Sequence, residues 1–389
     1  MRESKSYQNA RKLNKGEKKS KTFAELNKQF GFREYDIHAF AVKTKNACHI
    51  GEHLDVHVCQ KVATRAFNAT KEYAFGKRGK PRFKGWNQFD SIEGKNNAAG
   101  IRWRENKVLW SGLELLPIFD AKDKHGVQAH GLECKTKYVR LVRRKINGRN
   151  RFYVQLVQEG KPKIKVKNVI GKGVVGLDLG PSTIAAVSSQ EAFLEPFCGE
   201  LEPIQKKVRQ LQRRLDRSRR AFNPDAFNED KTIKKGVKLQ KSKAYRRDQE
   251  QLAETSRRLA SYRKTLQGQM VNTVLQLGST VNLEKLSYRA WQKNYGKSVG
   301  FRAPGMFVSM LRRKAESAGG AVNEFPVRNR LSQVCHHCGA VKKKPLSKRW
   351  YDCDCGIYAQ RDLYSAFLAM HVVGDSLDMR QAQEAWTAA

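Results

Sequence analysis

The spacing of apolar positions along this chain changes several times, and each change predicts a different kind of element. The sequence is polar and Lys-rich up to Thr22, after which Phe23, Leu26 and Phe30 share one helical face. Thr22 and Glu25 have the spacing of a capping box, and Gly31 is a helix stop. Leu54, Val58, Val62 and Phe67 give residues 50 to 75 a looser helical stripe. These could be plain packing helices or could carry a binding face. From residue 100 to 158 the period drops to two. Ile101 and Trp103, Val108 and Trp110, and Leu113 and Leu115 alternate with polar neighbours, which predicts short antiparallel strands. YVRLVRRKINGRNRFYVQLV reads as a hairpin, because Asn147-Gly148 supplies the positive φ angles of a type I′ turn. A β-rich, barrel-like module is the expected result, followed by a charged linker, KPKIKVKNV.

A new domain is expected at GKGVVGLDLGPSTIAAVSS. Its near-continuous run Val174 to Leu179, a Gly-Pro turn and a second run, Ile184 to Val187, predict a buried hairpin with Asp178 inside its first strand. A carboxylate buried there needs a partner, and a bound metal is the natural one. Residues 204 to 278 return to helical spacing. Ile204, Val208, Leu211 and Leu215 form one stripe, and Leu252, Leu259, Tyr262, Leu266, Met270 and Val274 another, with a polar loop from Asn223 to Lys235 between them. The pair reads as a basic helical hairpin that packs on itself or clamps a duplex. STVNLEKLS is a short strand carrying Glu284. WQKNYGKSVGFRAPG, rich in Gly and Lys, reads as a mobile loop; a helix near Met306 to Ala315 and a strand AVNEFPV follow.

Charge narrows the partners. Lys and Arg number 76 against 37 Asp and Glu, a formal net charge of +39. That excess argues for a polyanion, with nucleic acid first. No apolar run is long enough to span a bilayer, and no signal-peptide core opens the chain. A soluble, intracellular protein is expected. In GKRGKPRFKGW, Gly and Pro disfavour helix, so Lys80, Arg82 and Lys84, interleaved with Phe83 and Trp86, could meet a phosphate backbone and its bases. Arg209 and Arg213 on the basic helix are candidates for the same role. For all five cations a solvated surface is the plain alternative.

The chemistry gathers near the end. Cys48, Cys59, Cys134 and Cys198 stand singly, whereas Cys335, Cys338, Cys353 and Cys355 form two knuckles. Four thiolates suit one closed, structural zinc. His336 and His337 lie between the first pair as possible substitutes, and the basic insert KKKPLSKRW could touch nucleic acid. Three acids occupy a strand (Asp178), a strand end (Glu284) and the first turn of the final helix (Asp362). Each alone could be a surface carboxylate, and Asp362 could cap its own helix. Together, in so basic a chain, they suit two hard divalent cations that activate water for phosphodiester hydrolysis. No His/Ser/Asp arrangement competes.

GLDLGPSTIA, NLEKL, SQVCHHCG, CDCG and QRDLYSAFLAM, in that order, resemble the split RuvC-like nuclease domain and zinc finger of the TnpB (OrfB-type transposase) family, transposon-encoded relatives of type V CRISPR effectors. The resemblance spans roughly Lys77 to Met370. It implies an α/β RNase H-like fold with an inserted zinc finger, preceded by a β-barrel-like wedge module and a helical recognition insert. The implied division is a recognition-type segment at 1–76, divergent or shortened; a wedge module at 77–168; the nuclease at 169–371, with a basic insert at 204–278 and the finger at 332–358; and a tail at 372–389. It further implies that Asp178, Glu284 and Asp362 bind two magnesium ions and that the four cysteines bind one zinc. The activity implied is cleavage of double-stranded DNA directed by a guide RNA from the transposon end, beside a short adjacent motif. A nuclease-silent RNA-guided regulator and an accessory transposition protein are the alternatives. This sequence departs from the family in its second knuckle, Cys-x-Cys instead of Cys-x-x-Cys, which leaves Asp352 where a ligand is expected.

Overall fold

The KPKIKVKNV stretch offers no apolar stripe to either neighbour, and the chain divides within it, between Lys163 and Ile164, into two units. The structure, a computed structural model, describes residues 4–85, 87–345 and 347–388.

In the first unit α1 (Lys5–Lys12) and α2 (Glu17–Gln29) pair through Tyr7, Ala10, Phe23 and Leu26. The expected capping box does not form. Thr22 lies inside α2, donating its hydroxyl to the Lys18 carbonyl at 2.9 Å, and the helix starts five residues earlier, after Gly16. The polar stretch before Thr22 is therefore helical, its few apolar residues sufficing for a two-helix contact. Gly31, at φ +60°, ends α2 in the left-handed region that glycine accepts. Helix α3 (Glu34–Asn46), which sequence spacing did not reveal, and the single turn α4 (Ile50–His53) lead into α5 (Val56–Ala74). Asp55 caps α5, accepting from the Val58 amide at 3.0 Å, so Leu54 falls outside the expected stripe.

Next come β1 (Ser91–Glu93), β2 (Arg102–Arg104), β3 (Lys107–Trp110), β4 (Leu113–Leu115), α6 (Val127–Glu133), β5 (Lys135–Ile146) and β6 (Arg149–Glu159). Asn147 and Gly148 adopt φ +48° and +76°, as the hairpin turn requires. The β-rich module expected here consists of two three-stranded sheets, β1-β5-β6 and β2-β3-β4. Left-handed residues Glu105 and Asn106, then Ser111 and Gly112, turn the chain from β2 into β3 and from β3 into β4, which keeps these strands to three or four residues. Val58, Ile101, Val108 and Val139 fill the space among these elements.

The second unit contains β7 (Val174–Leu179), β8 (Thr183–Val187), β9 (Ala192–Pro196), α7 (Glu202–Phe222), α8 (Lys243–Leu277), β10 (Thr280–Glu284), α9 (Tyr288–Arg302), α10 (Pro304–Ser317) and β11 (Ala321–Phe325). It continues through β12 (Trp350–Asp352), β13 (Tyr358–Gln360), α11 (Arg361–Met370), β14 (Val372–Val373), β15 (Ser376–Leu377) and α12 (Met379–Thr387). Its main sheet has the order β11-β10-β7-β8-β9. β10 runs parallel to both β7 and β11, and β8 antiparallel to both β7 and β9. Alternate residues Val175, Leu177, Val281 and Leu283 enter the main core with Val271 and Val274 of α8 and Phe307 and Leu311 of α10. The intervening positions face the other side, where α11 lies across β7, β8 and β10.

Two expectations change here. WQKNYGKSVGFRAPG is helical, not a loop, over Tyr288–Arg302; Ser287 caps it, and Tyr288, Trp291 and Tyr295 recur at helical spacing despite Gly296 and Gly300. The tail is a small hairpin and a helix, α12, whose Trp386 packs on Tyr364 and Phe367 of α11. No helix among the described residues is long and apolar enough to cross a membrane.

Candidate active site and cysteine cluster

Register places two of the three acids. On parallel neighbours β7 and β10, Gly176 pairs with Asn282 and Leu177 with Leu283, so Asp178 and Glu284 stand side by side one position further on. Period-two alternation turns both pairs, Gly176/Asn282 and Asp178/Glu284, to the side that carries α11.

Each pair has its own task toward that helix. A side chain on Gly176 would overlap the Ala366 carbonyl oxygen and crowd the Met370 amide, so glycine is what lets α11 seat directly on the strand. Asn282, 3% exposed, donates from Nδ2 to the carbonyls of Ala369 and Val372, each at 3.1 Å, satisfying acceptors at and just beyond the C-terminal end of α11. Its Oδ1 accepts from Asn323 Nδ2 of β11, also at 3.1 Å. With the C-terminal half of α11 fixed over Gly176 and Asn282, its first turn comes to the Asp178/Glu284 end. Asp362 lies in that turn, 14% exposed, and does not cap the helix. Gln360 does so instead, accepting from the Leu363 amide at 2.7 Å.

The three carboxylates line one cleft of about 560 Å³ together with Gly180 to Thr183, Trp291, Tyr295, Lys343, Lys344, Arg349 and Arg361. Burial, then the charges of Asp362 and Glu284, push the Asp178 carboxyl up to about 8, against a partial offset from Arg361. Burial likewise pushes Glu284 up to about 7. Asp362 Oδ2 accepts from the Thr183 hydroxyl at 3.5 Å and lies 3.9 Å from Arg349 Nη1, while its Oδ1 lies 3.7 Å from Arg361 Nε. A carboxylate pair that resists ionisation although cations stand nearby fits a divalent metal, whose charge would remove the repulsion. Among the described residues only the four cysteines bring ligand atoms within 4.8 Å of one another, so the acids converge more loosely than one tight cage.

The cysteine cluster is built over a shorter span. Cys335 Sγ lies 3.5 Å from Cys355 Sγ, and Cys338 Sγ 3.5 Å from Cys353 Sγ. A tetrahedron of Zn–S bonds has edges of about 3.8 Å, so the four sulfurs fit one zinc. Gly339 (φ +72°) and Gly356 (φ +96°) follow the two knuckles with turns that need glycine. Neither histidine joins the cluster. His336 turns away to bond the Tyr364 hydroxyl through Nδ1 at 2.8 Å, and His337 is exposed. Asp352 is not a ligand either: hydrogen bonds and charge from Lys344 and Lys348, at 2.8 and 2.7 Å, hold its carboxyl down at about 2. The cluster is tied to α11 through Tyr351, stacked on Tyr364 at 4.3 Å, and through β13, which ends where α11 begins.

This segment is the part of the chain that known families describe. Residues 305–368 match the model of the Cas12f1-like TNB domain. That stretch runs from α10 through the four cysteines into α11, and includes Asp362. Among solved structures, the chain is similar to Cas12f1 in a complex with sgRNA and target DNA, at 14% identity and a TM-score of 0.50 over 92% of this chain and 87% of that one. A CRISPR-Cas12f ternary complex also matches at 14% identity over 92% and 86%, with a TM-score of 0.34. No curated protein matches the chain. The Cas12f1 likeness is one of fold.

The remaining candidates are not among the residues that line the cleft. Lys80, Arg82 and Lys84 are exposed in a non-helical segment of the first unit, with Lys84 Nζ 5.2 Å from the Phe89 ring centre; Phe83 is fully exposed, and Trp86 falls outside the described residues. Arg213 on α7 is exposed and Arg209 half-buried. Sequence reading missed Gly176, Asn282, Thr183 and the aromatic wall of Trp291 and Tyr295. Glycine within the apolar run VVGLDL and asparagine within VNLE were the available signals, since neither belongs in a buried strand without a reason.

Proposed function

We propose that the chain is a metal-dependent endodeoxyribonuclease directed by a guide RNA, with an RNase H-like nuclease domain and one structural zinc. The observation that carries this reading is the meeting of Asp178, Glu284 and Asp362, from two strands and a helix, in one cleft where Asp178 resists losing its proton. The sheet order supports the RNase H-like assignment, and the Cas12f1-like match over 305–368 supports the guided one. Cas12f1 has been solved with sgRNA and target DNA, the partners we assign to this chain. On the TnpB resemblance, the guide comes from the end of a transposable element, the DNA is cut beside a short adjacent motif, and the setting is a prokaryotic cytoplasm.

Bound magnesium would supply an activated water and stabilise the leaving oxygen. Asp178, Glu284 and Asp362 would hold the metal through their oxygens, and Thr183 restrains Asp362. Arg349 and Lys343 face the same cleft and present cations to a phosphate backbone. The four cysteines would hold zinc and brace the start of α11. Base pairing with the guide selects the target, so the basic surfaces need only grip backbone.

The test is purification without added nucleic acid, sequencing of the bound RNA, and incubation with a plasmid library of randomised flanks in magnesium. A discrete RNA and cleavage by the wild type but not by Asp178→Ala are expected. Absence of a discrete RNA sinks the guided reading, and RNA of CRISPR-array origin moves the chain from the transposon class to the CRISPR class. RNA-dependent binding without cleavage leaves the regulator.

A further inference from the structure

We propose that Trp291 and Tyr295 form a nucleobase subsite, which takes the unstacked base beside the phosphate attacked in the carboxylate cleft. The proposal rests on the nuclease reading and adds a part that the acids alone do not supply.

Both rings line the cleft that holds Asp178, Glu284 and Asp362. They lie four residues apart on α9 and meet edge to face, with centroids 6.4 Å apart and planes at 78°. Nearby Phe301 and Phe307 are taken into the core, yet Trp291 and Tyr295 stay half-buried. Neither the indole N–H nor the Tyr295 hydroxyl has a hydrogen-bond partner among the described residues, so each amphipathic ring keeps a polar tip available in a cleft already lined with cations. A cleft of about 560 Å³ is within the usual range for a small-molecule site.

The mount is rigid on both sides. Towards the N-terminus, Tyr288 packs against the core beside Gly305 and meets Trp291 edge to face at 6.2 Å. Towards the C-terminus, Ser298 donates to the Pro181 carbonyl in the β7–β8 turn. Arg302, 5% exposed, bonds the Phe197 carbonyl at 2.7 Å and Glu202 at 2.6 Å, while Gln267 donates to the Arg302 carbonyl. Helical geometry breaks at Tyr295 (φ −122°, ψ 26°), between these anchors. Aromatic rings held in place beside a phosphate-handling centre are what base stacking needs, and a stacked base must first leave a duplex. The subsite therefore favours a single-stranded or unwound nucleotide of any sequence.

The test crosses one protein change with one DNA change in the RNA-loaded protein. An abasic residue beside the scissile phosphate should slow wild-type cleavage about tenfold. Trp291→Ala should slow cleavage of intact DNA by a similar factor, and the abasic residue should then add less than about twofold, because both changes delete one contact. Trp291→Phe, which keeps a ring, should recover most of the rate. Losses that multiply, or a wild type indifferent to the abasic residue, overturn the subsite while leaving the nuclease reading intact. Should the wild type cut nothing, binding decides. Oligothymidine should quench the emission difference between Asp178→Ala and Asp178→Ala/Trp291→Phe, and an abasic oligomer should not; equal quenching, or none, overturns the subsite.

Discussion

The cysteine cluster and the carboxylate cleft adjoin along the chain, since β13 delivers Gln360 directly to α11, yet they are assembled in opposite ways. The cysteines come from residues 335 to 355 and meet through two local turns, with all sulfurs within 4.8 Å. The acids come from residues 178 to 362 and meet only once a five-stranded sheet has formed and a helix has been laid across it. Soft thiolates packed closely suit a closed site that stabilises structure. Hard carboxylates set apart, with an open side, suit one that exchanges substrate. The difference teaches that the cluster bears on the cleft through delivery: it borders the start of α11, which carries Asp362, and no cysteine lines the cleft.

The strongest way to break this division is Asp178→Asn. Cleavage should fall about a thousandfold or more, while the metal-free protein becomes more stable, melting roughly 5 °C higher at pH 8 in EDTA. The sign follows from the raised carboxyl. With a folded value of about 8 against an ordinary 3.8, Asp178 contributes stability that is full below about pH 4 and lost as pH rises through 8. Glu284, raised to about 7, acts in the same direction. Calorimetry in EDTA from pH 5 to 9 should thus show a wild-type decline that Asp178→Asn flattens; parallel curves would refute the burial argument.

Next in size is Cys335→Ser/Cys338→Ser. Zinc measured by metal analysis should fall from one per chain to none, and cleavage by about a hundredfold, through loss of the brace on α11. Full activity in a zinc-free variant would separate the two sites altogether. Asn282→Ala is a subtler probe of delivery. It leaves the Ala369 and Val372 carbonyls without their donor at a cost of about 1–3 kcal/mol, seen as a lower melting temperature, and should slow turnover about tenfold with guide affinity unchanged. The smallest effect belongs to Asp352→Asn, which should leave zinc content at one per chain, because that carboxylate is engaged by lysines.

What could be read in advance follows the same contrast. Cys-x-x-Cys and Asn-Gly are local patterns whose geometry is contained in a few residues, and the structure has both knuckles and the turn at Asn147-Gly148. The strands of Asp178 and Glu284 were legible from their apolar runs, but their side-by-side register was not, because it depends on Gly176 facing Asn282 across two strands. Helix α9 was misread because Gly296 and Gly300 outweighed the aromatic spacing. In the fold, Ser298 and Arg302 are tied to distant carbonyls that no local pattern contains. The first unit's short strands were legible from their alternation, but not their division into two sheets, which depends on pairings between distant segments such as β1 with β5.

The raised carboxyl of Asp178 has a consequence for descent as well as for chemistry. Asp178→Asn, expected above to stabilise the unmetallated fold near pH 8, would meet no resistance from folding. A lineage released from the need to cut would drift readily toward Asn at this position and keep its architecture. On the nuclease reading proposed above, an intact Asp178 is a residue that folding alone would not preserve.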